Sequence, residues 1–413
     1  MKKTSNTGRY PELQLFIGTP SGPVPLTAHS SGIALPPNPA FETPTVQYGP
    51  YLLALGSYFS ANSHRNLKRL IKAALKTFSL SELHGQVPDE VSIISEKHGA
   101  LYNVSCIRIG FKSNAAGAPL AHPTIFELAL NTALLPQQQA FLRAEYRLLR
   151  RLHKRFTLPW LPRPLLFART AIKEDGVEFP IEFFASEWFE NHHEFHLEKG
   201  NSVHPAANPL EIHVWKPGTS DLYLRGMQAE DLYAGAATIL TACLDTEGFK
   251  QVYPWHHAAG DFVLDDSRAP ISVKLITARD YRSLLPPGTD TSDKMLGSLH
   301  FLINMSIRLR IDRIAGTGDL AWSGNEAARG CVRGFSEAWK VKESADPQLP
   351  GADQIFTFFL RFSYEEQLAF AEIASRDGQL EGDESSFVAA HLPEHLRALT
   401  ASFAEFLDRS TGD

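Results

Sequence analysis

The strongest constraint on the fold is a change of hydrophobic period in mid-chain. Val91, Ile93 and Ser95 fall on alternate positions. After the turn-forming Lys97-His-Gly-Ala, the run Leu101-Tyr-Asn-Val-Ser-Cys-Ile-Arg-Ile resumes as a strand. Period two is the mark of a pleated strand with one face buried, so Val91–Ile109 is predicted as an antiparallel hairpin. A third strand is expected at Thr124–Asn131. The period then becomes helical. Phe141, Leu142, Glu145, Leu148, Leu149 and Leu152 share one face of Pro136–Phe156, with Arg143, Arg147, Arg150 and Arg151 elsewhere. Pro136 suits a first helical turn, and the Pro-rich Leu158–Pro164 stops the helix. Two more strands are expected at Leu165–Thr170 and Ile181–Trp188.

Beyond this the chain reads mainly as helix. Leu232, Ala236, Ile239, Leu240 and Cys243 line one side of Met227–Thr246, a β-rich patch spans Tyr253–Tyr281, and apolar helices are expected at Lys294–Leu309, Gln354–Ala374 and Leu392–Arg409. Strands with one helix, followed by helices, give an α+β fold: a small antiparallel β lobe ahead of a mainly helical lobe. The expected division is 1–86 as a Pro-rich arm and leading helix, 87–188 as the β lobe with one long helix, and 189–413 as the helical lobe. Prolines 20, 23, 25, 36, 37, 39 and 44 deny the arm long helices or central strands. It is read as lying extended over a surface, with a partner-binding strap as the alternative. In the leading helix, Leu67, Leu70, Ile71, Ala74 and Leu75 form the apolar stripe, and Lys68, Arg69, Lys72 and Lys76 take the other faces.

Composition narrows the function. The 413 residues carry 40 Lys and Arg against 46 Asp and Glu, a net charge of −6, and 43% are hydrophobic. Such a chain can bury a core without metal or disulfide staples. No concentrated basic surface is available to neutralise phosphates, so nucleic acid is not expected as a partner. The three cysteines, 106, 243 and 331, are odd in number and form no CxxC. Reduced thiols in a cytoplasmic protein are expected. No signal peptide is read in Met1–Pro20 and no membrane span anywhere.

The segment Val252-Tyr-Pro-Trp-His-His-Ala-Ala-Gly-Asp-Phe-Val-Leu, followed by Val273-Lys-Leu-Ile-Thr-Ala-Arg-Asp-Tyr, carries a resemblance. With the element order before it, it resembles the protein-kinase-like superfamily, most closely the aminoglycoside-phosphotransferase-like small-molecule kinases. The resemblance covers roughly residues 87–340 and implies a two-lobe fold with ATP and Mg²⁺ as cofactors. It puts Asp261 in the place of the metal-binding Asn and His256 in that of the catalytic Asp. Thr277 takes the place of the first metal-binding Asp, and Asp280 matches a second acidic residue. His98-Gly-Ala stands for the Gly-rich loop. Glu145 is placed like the glutamate that pairs the phosphate-binding Lys, and Glu187-Trp-Phe-Glu-Asn looks like the hinge. The third strand, Phe126-Glu-Leu-Ala-Leu-Asn, has no such Lys.

The resemblance therefore implies a degenerate site: Glu145, Glu187, Asp261 and Asp280 around a nucleotide or small ligand in the inter-lobe cleft, Asp261 and Asp280 on Mg²⁺, and His256 as a possible base near neutral pH. Three functions stay open. They are a pseudokinase or atypical phosphotransferase, a non-catalytic scaffold or partner-binding module, and a His/Asp metal-dependent enzyme. His256 and His257 with Asp261 can be a hydrogen-bonded structural loop, a ligand site or a metal site. His192 and His196 are read as part of a solvated loop past the hinge, and the segment lacks HExxH. Arg308, Arg310, Asp312 and Arg313 form either an ion-pair network or an anion-binding groove. Glu145 has only apolar neighbours along its own helix, so Arg108 is considered as its partner. P-loop, nucleophile-elbow and dinucleotide motifs are absent.

Overall fold

The computed structural model describes residues 10–36, 45–98, 101–113, 119–174, 176–200, 210–216, 222–253, 255, 258–285, 291–378, 380 and 382–410. The chain forms two compact units, Met1–His153 with Pro162–Glu190, and Lys154–Leu161 with Asn191–Asp413.

The first unit holds β1 (Gln14–Ile17), β2 (Val24–Pro25), the short turn α1 (Ala28–Ser31), α2 (Tyr48–Thr77), β3 (Glu90–His98), β4 (Asn103–Ser113), β5 (Pro119–Ala133), α3 (Pro136–Arg155), β6 (Pro164–Glu174) and β7 (Val177–Glu187). The strands make one seven-stranded sheet in the order β2-β1-β3-β4-β5-β7-β6. An antiparallel sheet was the expectation, but this one is mixed, because β1 runs parallel to β3. The reason is the connection: α2 lies between the two strands, and a long, usually helical crossover is what parallel neighbours require.

Side chains pack on both faces of the sheet. Val91, Ile93, Ile107, Ile109, Leu128, Leu130 and Phe183 point to one face and share a core with Tyr51, Leu55, Phe59, Leu67, Leu70 and Ile71 of α2. The apolar stripe read from the sequence is thus the buried face of α2, and Lys68, Arg69, Lys72 and Lys76 are exposed. Burying each large side chain contributes about 1.5–3 kcal/mol. The Tyr51 hydroxyl is satisfied within this core by Ser105 at 3.0 Å and Thr132 at 3.2 Å. On the opposite face, Tyr146 of α3 packs against Phe167 and Phe184, with ring centroids at 5.3 and 5.9 Å. Within α2, Asn62, Ser63 and His64 adopt φ of 48°, 52° and 62°, which breaks the helix into two arms.

The second unit begins with a three-stranded antiparallel sheet, β8 (Phe195–Lys199), β9 (Leu210–Val214) and β10 (Leu222–Leu224). There follow α4 (Met227–Cys243), β11 (Lys250–Val252), the single turn α5 (Ala258–Asp261), β12 (Phe262–Asp265), β13 (Ser272–Leu275), β14 (Tyr281–Ser283), α6 (Thr291–Arg308), β15 (Ile311–Arg313), β16 (Leu320–Trp322), α7 (Asn325–Ala345), α8 (Ala352–Leu360), α9 (Tyr364–Asp377) and α10 (Asp383–Ser410). Helix α4 and α7 touch backbone to backbone, since a Cβ on Gly334 would lie 2.1 Å from the Ala234 carbonyl oxygen. Trp339, Phe335, Phe356, Phe359 and Phe403 fill the helical core, with Phe356 stacked on Phe403 at 4.4 Å. The expected helix Gln354–Ala374 is two helices. Ser363 caps α9 by accepting from the Glu366 N–H, and the Glu366 carboxylate accepts from the Ser363 N–H at 2.8 Å. Among the described residues no helix is long and apolar enough to cross a membrane.

Candidate functional site

The hairpin β12–β13 and its flanking turns carry most of the residues singled out by the sequence. Its register pairs Phe262 with Leu275 and Leu264 with Val273. The chain enters β12 through Gly260, whose φ of +90° lies in the left-handed region that favours glycine. That turn delivers Asp261 into the interior, with its side chain 2% exposed. A hydrogen bond from the Ile276 N–H to the Asp261 carbonyl, 2.9 Å, joins the two strands at this end.

The Asp261 carboxylate is held by Arg279. One guanidinium nitrogen donates to Oδ1 at 2.6 Å and the other to Oδ2 at 3.0 Å. Arg279 follows β13 by four residues and stands next to Asp280, so the pair ties the segment after β13 to the turn before β12. A buried carboxylate bonded in this way has its charge balanced and both oxygens engaged. Coordination of a divalent metal by Asp261 would require this pair to open.

Asp280 has a different setting. Its side chain is 54% exposed, and it accepts from the Tyr281 N–H at 2.7 Å. Its backbone carbonyl accepts from the Tyr253 N–H at 3.0 Å. Among the described residues no group of three His, Cys, Asp or Glu side chains is arranged to hold a metal ion. His256 and His257 lie outside the described residues, as do Gly99 and Ala100 of the expected Gly-rich turn. The neighbouring Trp255 packs edge-on against Phe262 at 6.1 Å.

The remaining two residues belong to the first unit. Glu145 is buried on α3, 2% exposed. The partner considered for it, Arg108, is engaged elsewhere. Arg108 and Glu127 stand directly opposite across β4 and β5, and the Arg108 Nε donates to Glu127 Oε1 at 2.7 Å. A direct cross-strand position outcompetes a partner on another element. Glu187 ends β7, where its N–H donates to the Arg163 carbonyl at 3.1 Å and its carboxylate accepts from the Arg163 N–H at 3.4 Å.

Two segments read as solvated or ambiguous are tied into the second unit by hydrogen bonds. His193 exchanges backbone hydrogen bonds with Leu264 on the outer edge of β12, at 2.8 and 3.0 Å. His192 Nε2 lies 3.1 Å from Ser272 Oγ on β13. His196, expected in a solvated loop, sits on β8 and is 9% exposed. Its Nδ1 lies 3.2 Å from Asp312, whose other oxygen accepts from the Leu197 N–H at 2.7 Å. Alternation in Phe195-His-Leu-Glu-Lys was the sequence signal for this strand. The Arg308–Arg313 cluster is a buried polar network. Arg308 donates to the Trp255 carbonyl at 3.2 Å and also bonds the Tyr253 hydroxyl and the Gly378 carbonyl. Arg310, 0% exposed, donates to Glu394 at 2.9 Å and to the Ser323 carbonyl at 2.9 Å.

No protein-family model matches the chain, and no curated protein matches it.

Proposed function

We propose that this chain is a kinase-like protein that holds a nucleotide or small ligand without transferring phosphate. The observation that carries the proposal is the bidentate Arg279–Asp261 pair, at 2.6 and 3.0 Å. In the kinase-like reading Asp261 stands where a metal ligand belongs, and a guanidinium already provides the positive charge that Mg²⁺ would supply there. Phosphoryl transfer depends on metal and Lys charge around the phosphates. A locked carboxylate and a third strand without Lys remove both.

The kinase-like reading itself is supported by the order of elements in the first unit. The hairpin β3–β4 is followed by β5, then by α3 with buried Glu145, then by β6 and β7, all in one sheet. The test is thermal denaturation with ATP, with and without Mg²⁺, alongside an ATP-turnover assay. The expected result is a rise in Tm with ATP that does not depend on Mg²⁺, and no turnover. Absence of any shift at millimolar nucleotide overturns nucleotide binding. Mg²⁺-dependent turnover that is lost in Asp261→Ala overturns the non-catalytic reading.

A further inference from the structure

The second unit contains an open groove of about 420 Å³ between α4, α7 and β13. That volume lies within the range of small-molecule sites, roughly 300–1,000 Å³. Trp160, Asp231, Val273, Lys274, Arg333 and Glu337 are among its lining residues.

The backbone of β13 is the first clue. Leu264 stands opposite Val273, and both its N–H and its C=O bond to His193 on the far side of β12. In an antiparallel ladder a residue bonds to one side only, so Leu264 and Val273 form a pair that exchanges no hydrogen bonds. The N–H and C=O of Val273 therefore point away from β12. Leu275 points the same way, and its N–H is taken by the Trp160 carbonyl at 3.0 Å. At Val273 neither group has a hydrogen-bond partner among the described residues. This is a one-residue stretch of unpaired strand edge in the lining of the groove, with a donor and an acceptor side by side.

The side chains supply the second clue. Arg333 is neutralised by Asp231 at 2.5 Å and by Glu230 at 3.2 Å. The Lys274 ammonium donates to the Pro159 carbonyl at 2.9 Å. Glu337, one turn beyond Arg333 on α7, is exposed and makes no ion pair or hydrogen bond among the described residues. Trp160 is half-buried and adds an aromatic surface. An uncommitted carboxylate and an indole together suit a cationic group.

We propose that this groove binds a short peptide or amino-acid amide with a basic group. Its main-chain amide would pair with Val273, as an added strand does, and its cation would sit between Trp160 and Glu337. The proposal uses only residues of the second unit and does not depend on the kinase-like reading.

The experiment is isothermal titration of the full chain with L-lysine amide, L-arginine amide, L-glutamic acid amide and butylamine. Tryptophan fluorescence serves as a second readout. Binding of the two basic amides, with Glu337→Gln weakening it about tenfold and Trp160→Leu by a similar factor, is the expected result. Glu337 is exposed, so its replacement leaves the fold intact. No binding of either basic amide up to about 10 mM overturns the site. Equal binding of the glutamic acid amide overturns the role of Glu337, and equal binding of butylamine overturns the role of the Val273 edge.

Discussion

Arg279 donates two hydrogen bonds to the carboxylate of Asp261, one to each oxygen, and the two side chains are 25% and 2% exposed. The pair bridges the turn before β12 and the segment after β13. It keeps a charged residue at the centre of the most motif-like segment of the chain.

Removing one partner of such a pair leaves a buried charge without compensation. Arg279→Gln is expected to cost about 3 kcal/mol of unfolding free energy, at the low end for buried pairs because the arginine is partly exposed. The double substitution Asp261→Asn with Arg279→Gln should recover part of that loss. Urea denaturation of the two variants and the parent checks this. A loss below about 0.5 kcal/mol for Arg279→Gln would show the pair to be no stronger than a surface one.

Gly334 marks a close backbone contact between α4 and α7. In an exposed helix, Gly→Ala stabilises by about 1 kcal/mol. Here the new Cβ would lie 2.1 Å from the Ala234 carbonyl oxygen, a backbone atom that moves only if α4 and α7 part. The clash outweighs the propensity gain, and Gly334→Ala is expected to destabilise by about 1–3 kcal/mol. An unchanged or higher Tm would mean that the two helices are not packed this closely.

His395 on α10 is buried, with Nε2 at 3.0 Å from Ser306 Oγ and its ring 6.0 Å from Trp322. Burial, with a further push from Arg310, lowers its pKa to about 3. Burial also lowers His300. A histidine kept neutral in the fold is protonated more readily in the unfolded chain, so stability falls as pH drops below the unfolded value near 6.5. Between pH 7 and 4.5, His395 is expected to withdraw about 2.5 kcal/mol. Denaturation of His395→Gln over the same range should show a shallower decline than the parent. Identical slopes would place the histidine in water.

The three thiols offer a simple check of burial. Cys106, Cys243 and Cys331 are free and buried. Burial raises all three pKa values, Cys243 to about 12. Only the thiolate is nucleophilic, so the native protein should not react with a disulfide reagent at pH 8, while the denatured chain should titrate all three thiols. Rapid labelling of any one without denaturant would show that the element carrying it opens readily.

Local pattern accounts for much of the first unit. The alternation in Val91–Asn131 and the stripes of α2 and α3 are properties of neighbouring residues, and the strands and helices formed where those patterns lie. The Ser363-Tyr-Glu-Glu capping signal was equally present in the sequence and marks the break between α8 and α9. Other elements had no such local mark. Helix α7 carries Gly330 and Gly334 in its middle, which lowers its intrinsic propensity. It forms because those glycines let α4 approach. The parallel placement of β1 likewise depends on α2 covering the sheet, a relation between residues far apart in the chain.

The candidate site divides in the same way. Asp261, Asp280, Glu145 and Glu187 were singled out by residue type together with the kinase-like resemblance. What each carboxylate does follows from who stands beside it, and neighbours across the fold are set by packing. Arg279 engages Asp261 although eighteen positions separate them, Glu127 takes Arg108 across two strands, and Asp312 meets His196 from a distant hairpin. Hydrophobic period is encoded locally and survives in the linear sequence. Charge pairing depends on distance in space, which exists only once the chain has folded.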